Sequence, residues 1–138
     1  MRVESQQLGT LEIPEESIVT FPLGIPSFPD ALHFCLLEVR AGSRYRLLQC
    51  TDRPDLAFVV IDPLLVDPAY PLDDVRGAAA DLGLKPDEPL AVAVIVTVPR
   101  PPGRPTANLL APIAMGLRSR IGAQVVLHDS PYRVRHAL

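Results

Sequence analysis

The sequence predicts a mainly β, single-domain protein with one short helix. Three observations carry that prediction. Short runs rich in β-branched and aromatic residues recur along the chain, bounded by Gly, Pro, Asn and Asp. They follow one another as hairpins rather than alternating with helices, which points to an antiparallel barrel or sandwich. Only residues 72–82 place apolar side chains at helical spacing. With 138 residues, 48% hydrophobic and 21% charged, the chain is long enough to bury its own core.

Taken in order, residues 2–6 and 9–13 are two short strands forming a hairpin around Gln7-Leu8-Gly9. Ile18-Val19-Thr20-Phe21 is strand, because branched and aromatic side chains suit a pleated surface. Residues 22–30 hold three prolines and Gly24. Proline donates nothing to a ladder, so this is an ordered loop outside the sheet, anchored by Ile25 and pinned by Phe28. Residues 32–39 put Leu32, Phe34 and Leu36 on one face and His33, Cys35 and Leu37 on the other. The chain turns at Ala41-Gly42-Ser43 and returns over residues 45–51. After a turn at Asp52-Arg53-Pro54-Asp55, residues 56–61 are apolar on both faces and belong in the sheet centre.

Residues 67–70 are broken by proline. The helix over 72–82 then turns Leu72, Val75, Ala79 and Leu82 to the core, with acids in its first turn and Gly83 as its C-terminal cap. Gly77 weakens it. Residues 90–98 are the longest strand and, being nearly all aliphatic, central. The proline-rich residues 99–105 are a stiff connector. Residues 108–114 and 124–128 complete the sheet around an exposed turn at 118–122, and residues 132–138 form a basic tail. No internal repeat is visible.

The formal net charge of -3 argues against a nucleic-acid binder, but the charge is unevenly spread. Residues 62–88 hold seven acids and two bases, whereas residues 100–138 hold one acid and six arginines. Such a split suits protein partners. The arginines lack the interleaved aromatic platforms of a single-strand RNA surface. Lys85 is the only lysine among 13 basic residues, which with 16 prolines reads as codon bias. No apolar run reaches membrane-spanning length and none follows Met1-Arg2, so a soluble cytoplasmic protein is expected.

Chemistry is hard to find. Cys35 and Cys50 fit no zinc or redox spacing and read as small buried thiols. His128-Asp129-Ser130 contains the triad residue types, but neighbours on an extended chain point to opposite sides. His33, Cys35, Cys50 and His128 could form a metal site only by convergence of scattered strands. Asp62-Pro63 and Asp67-Pro68 could pair carboxylates, yet an Asp before Pro more often caps a turn. No glycine cluster cradles a phosphate. No catalytic residue, metal ligand or cofactor is therefore expected. The remaining unusual residue is Asn108, an amide in the aliphatic run Thr106-Ala107-Asn108-Leu109-Leu110-Ala111-Pro112-Ile113, where it needs partners for its donors and acceptors.

Four blocks resemble the flagellar assembly factor family FliW. Phe21-Pro22-Leu23-Gly24-Ile25-Pro26-Ser27-Phe28 is similar to that family's F-x-x-G-I-P-G-F. The second block runs from Leu48-Gln49-Cys50-Thr51 through Pro54-Asp55-Leu56-Ala57-Phe58 to Asp62-Pro63. The third, residues 106–113, is the most specific, and the fourth joins Gln124-Val125-Val126-Leu127 to Tyr132 and Arg135-His136-Ala137-Leu138. Ser27 stands where the family usually has Gly, and Ala137 where it has Pro.

The resemblance implies a single compact antiparallel β-barrel-like domain without enzymatic activity, binding flagellin and the RNA-binding translational repressor CsrA. It implies that CsrA is antagonised allosterically, away from its RNA site, and that secretion of flagellin releases the factor to do so. The basic character of CsrA makes the acidic run a plausible contact. The partner-binding candidates are Asp62, Asp67, Asp73 and Asp74, with Asn108 and Pro112 from the third block; Asn108 serves either the fold or an interface. Direct nucleic-acid or membrane binding is not expected. A chaperone-like module for another exported protein, or a small metal-dependent enzyme using His33, Cys35 or His128, are the alternatives.

Overall fold

The computed structural model describes residues 1–85 and 87–138. It is mainly β, with two helices where the sequence suggested one. Strands β1 (Arg2–Ser5) and β2 (Gly9–Glu12) pair antiparallel as a separate hairpin. Strand β3 (Val19–Thr20) is shorter than expected because Ile18 gives its N–H back to Glu15 in a preceding 3-10 turn.

The loop after β3 is ordered as anticipated. Gly24 sits at φ +67, and a Cβ there would lie 2.7 Å from the backbone of Pro29. Only glycine fits. Ile25 is buried, and the Phe28 ring packs edge-on against Phe58 at 5.8 Å between centroids. Ser27 adopts φ +76, a region costly for a residue with a Cβ.

Strands β4 (His33–Glu38), β5 (Tyr45–Cys50) and β6 (Ala57–Ile61) form an antiparallel meander, with Phe34 opposite Cys50 and Leu48 opposite Phe58. Gln49 is fully buried in β5 and its amide donates to the carbonyls of Cys50, Arg53 and Leu56 at 3.0–3.1 Å. It ties the turn that feeds β6.

Helix α1 (Pro63–Val66) was not anticipated, since four residues are too few to show a period. Asp62 caps it by accepting the Leu64 N–H at 2.9 Å, with Pro63 in the first turn. Helix α2 (Leu72–Asp81) lies where expected, but its apolar stripe is narrower. Val75 and Ala79 are buried, whereas Leu72 and Leu82 are 39% and 46% exposed, because only the middle of the helix meets the core.

Strand β7 (Leu90–Thr97) is the longest and pairs with β6, with β8 (Thr106–Ala107) and with β9 (Ile113–Gly116). The continuous strand expected over 108–114 is broken. Asn108 Oδ1 accepts the Ala111 N–H at 3.0 Å, which turns the chain, and Pro112 has no N–H to donate. Strand β10 (Gly122–Gln124) pairs with β9, earlier than the expected 124–128. Residues 125–127 continue alongside the broken stretch, Val125 bonding to Pro112 and Leu127 to Leu110. The basic tail is not loose: β11 (His136–Ala137) pairs with β8, placing Ala137 opposite Thr106.

The main sheet runs β10-β9-β7-β6-β5-β4-β3, with β8 and β11 branching from β7. Among the described residues no ladder closes it. Its two ends meet at one parallel bridge, Thr20 to Ile121, so "barrel-like" describes it only loosely. Two cores result. One gathers Val75 and Ala79 against Ile61, Val94, Leu109 and Val125; the other gathers Phe21, Phe34, Leu48, Ile113 and Met115. Each large apolar side chain buried there contributes about 1.5–3 kcal/mol.

Candidate functional site

The fold packs α1 against β7 and α2 against β9 and sorts the acids of this segment by what they touch. Asp62 is exposed, with one carboxylate oxygen engaged in capping α1. Asp73 and Asp74 stand exposed in the first turn of α2, where the helix dipole favours negative charge. Among the described residues neither makes a side-chain hydrogen bond or ion pair, so both charges face solvent.

Asp67 is different. It is half-buried, accepting the Tyr132 hydroxyl at 2.6 Å and the Ala69 N–H at 2.9 Å. The Tyr132 bond, seconded by that N–H, holds its carboxyl below the ordinary 3.8. Tyr132 also lies 5.0 Å from the ring of Tyr70, whose buried hydroxyl donates to the Leu109 carbonyl at 2.6 Å. The tail, the α1–α2 segment and the broken stretch after β8 therefore meet at one corner.

Asn108 and Pro112 belong to that corner rather than to the acidic side. Asn108 spends its N–H on Ile95 and its side-chain carbonyl on Ala111. Pro112 is buried, its carbonyl accepting from Val125. The backbone N–H and side-chain oxygen of Asn108 are thus engaged in the turn that Pro112 continues.

Two residues escaped the sequence reading. Gln49 stood inside an apolar strand, and its amide among aliphatic neighbours was a usable signal. Glu88 looked like one more surface acid, yet it is only 2% exposed. Its Oε1 accepts the N–H groups of Arg118 and Ser119 at 2.9 and 2.8 Å, while its Oε2 is buried without a hydrogen-bond partner among the described residues. The Ser119 N–H, against the opposing effect of burial, leads in holding its carboxyl below the ordinary 4.5.

The potential metal ligands do not assemble. His33 faces Asp52 at 3.5 Å, while His128 lines another cleft beside Leu23 and Leu82. Cys35 and Cys50 are both buried free thiols, and burial, with Cys50 nearby, pushes Cys35 up to about 11. Among the described residues, no three His, Cys, Asp or Glu side chains are grouped to hold a metal ion. His128-Asp129-Ser130 forms a turn, with Asp129 at φ +60. Among the described residues no helix is long and apolar enough to cross a membrane.

What this surface can do, on its geometry, is present fixed negative charge beside exposed aliphatic residues. Comparison with known proteins bears on the use of it. Residues 2–138 match the model of the FliW protein family. The flagellar assembly factors FliW of Anoxybacillus flavithermus, Desulfitobacterium hafniense and Geobacillus thermodenitrificans are 33%, 37% and 35% identical over 138 residues. These alignments cover 100% of this chain and 94%, 91% and 95% of theirs. A crystal structure of the flagellar assembly factor FliW superposes with a TM-score of 0.87 at 33% identity, covering 99% of this chain and 96% of that one.

Proposed function

Because the chain belongs to the FliW family, we propose that it is a flagellar assembly factor that works by binding protein partners rather than by catalysis. The partners are flagellin and the translational repressor CsrA. Held by flagellin, the factor leaves CsrA free to repress; released when flagellin is exported, it binds CsrA and relieves repression. The antagonism is allosteric, because binding occurs away from the RNA site of CsrA.

The observation that supports a basic partner is the exposed acidic ridge of α1 and α2. Asp73 and Asp74 have no intramolecular partner among the described residues, and Asp62 has one oxygen to spare. Charges held in this way attract a basic surface and steer its approach. Asp67, committed to Tyr132, contributes less. Asn108 and Pro112 act through the fold.

The test is direct affinity measurement of the purified protein with flagellin and with CsrA. Both are expected to bind. Asp73→Lys/Asp74→Lys should weaken CsrA by about tenfold at low salt, with the deficit shrinking as salt rises. A thermal melt checks that the variant is folded, since reversing two first-turn acids costs about 1 kcal/mol of helix stability. Unchanged CsrA affinity at low salt removes the ridge from the interface. Failure to bind either partner removes the functional reading itself.

A further inference from the structure

A cleft of about 350 Å3 lies between α1 and the surface formed by β5, β6 and β7. Its floor is aliphatic, with Leu36, Val60 and Val92 among its lining residues. On its lip, Leu65 and Leu72 are 53% and 39% exposed. An apolar side chain seated there would gain about 25 cal/mol for each Å2 taken from water.

One wall differs in kind. Arg44, just before β5, and Arg46, within it, both line the cleft and are exposed. Neither is within 4.0 Å of a carboxylate among the described ion pairs, which use Met1, Arg2, His33 and Arg53 instead. Arg44 gives one long bond, 3.4 Å, to the Leu65 carbonyl. Two acids stand near the pair, although neither is joined to it by an ion pair among the described residues. Glu38 is opposite Arg46 in the β4–β5 register but forms no ion pair with it, and Asp62 on the rim is capping α1. The cleft thus combines an apolar floor with two arginines that form no ion pair among the described residues, and it shares Asp62 with the acidic side that carries Asp73 and Asp74.

We propose that this cleft docks a protein segment of apolar and acidic character, an aliphatic side chain flanked by carboxylates. The aliphatic group lies over Val60 and Val92, and the carboxylates accept from Arg44 and Arg46, whose planar forks donate two hydrogen bonds at a time. A volume of this size takes one or two side chains of an extended or helical segment, not a folded domain. The molecule then has a second binding surface, set apart from the acidic side by Arg44 and Arg46, and it stands whether or not the partners of the first are those proposed above.

The test uses two fluorescein-labelled peptides of 12 residues, measured by fluorescence anisotropy in 0.15 M salt. One is an amphipathic order of leucine and glutamate; the other replaces each glutamate by lysine. The acidic peptide is expected to bind about tenfold more tightly than the basic one. Arg44→Glu/Arg46→Glu should abolish or invert that preference. Arg133→Glu/Arg135→Glu, an equal change of net charge on the tail, should leave it within about twofold, because neither residue lines the cleft and exposed charges away from it are screened. If the double reversal in the cleft does not fold, Arg46→Gln serves instead and should lower acidic-peptide affinity about threefold. Equal binding of the two peptides, binding of neither, or an equal loss from the tail variant would overturn the proposal. Because flagellin and CsrA take no part in it, the outcome is separable from that of the functional test.

Discussion

Asp73 and Glu88 belong to the same acidic run and do opposite work. Asp73, like Asp74, projects from the first turn of α2 into solvent with no partner among the described residues. Glu88 is buried at the far end of the run, where its carboxylate gathers the N–H groups of Arg118 and Ser119 and shapes the turn between β9 and β10. Gly116 lies against it so closely that a Cβ would overlap the Glu88 carboxylate and the Ser119 hydroxyl. Counting charge along a sequence treats these acids alike. An acid buried or hydrogen-bonded within the molecule, such as Glu88 or Asp67, attracts a partner less, so the acidic surface is smaller than the acidic run.

The contrast can be broken from either end. The largest effect belongs to Gly116→Ala, which forces the Glu88 carboxylate off its donors while overpacking a buried site. A loss of about 3 kcal/mol in urea denaturation is expected, with little change in partner affinity where the protein remains folded. A loss below about 1 kcal/mol would mean that the Glu88 corner yields easily. Smaller changes come from acid titration. The folded Glu88 carboxyl lies below its ordinary 4.5 and that of Asp67 below its ordinary 3.8. Each therefore stabilises fully above its ordinary value and loses that contribution as pH falls through the lower, folded value. Glu88→Gln should flatten the acid limb of stability below about pH 4.5, and Tyr132→Phe should flatten it below about pH 3.8, each read from melting temperature against pH. An unchanged limb in both would mean that neither carboxylate serves the fold in this way. The smallest stability effect is expected of Asp73→Asn/Asp74→Asn, about 0.5 kcal/mol from the helix dipole, although these are the substitutions that should weaken a basic partner.

Much of the fold was legible because its signals are local. The alternation through β4 and β5, the doubly apolar β6 and the spacing of Val75 and Ala79 place those elements within a few residues of their observed bounds. Helix α1 was hidden by its length, although an Asp62 cap followed by Pro63 is a helix-start signature in miniature. The break after β8 was missed because the aliphatic pattern of residues 108–114 suggests strand, while the deciding feature is where the Asn108 oxygen points. For the candidate site, the run of acids was visible; which of them are free was not.

The sequence by itself determined the antiparallel β character, the family and the presence of an acidic segment, because period, composition and motif are properties of neighbouring residues. Only the tertiary structure decided that the sheet stays open with its ends touching at Thr20 and Ile121, that the tail closes on β8, and that Asp67 and Glu88 serve the fold while Asp73 and Asp74 face solvent. Each of these depends on which distant backbone group arrives within about 3 Å of a given atom. That distance is set by the packing of the whole chain and leaves no mark on the residues beside it.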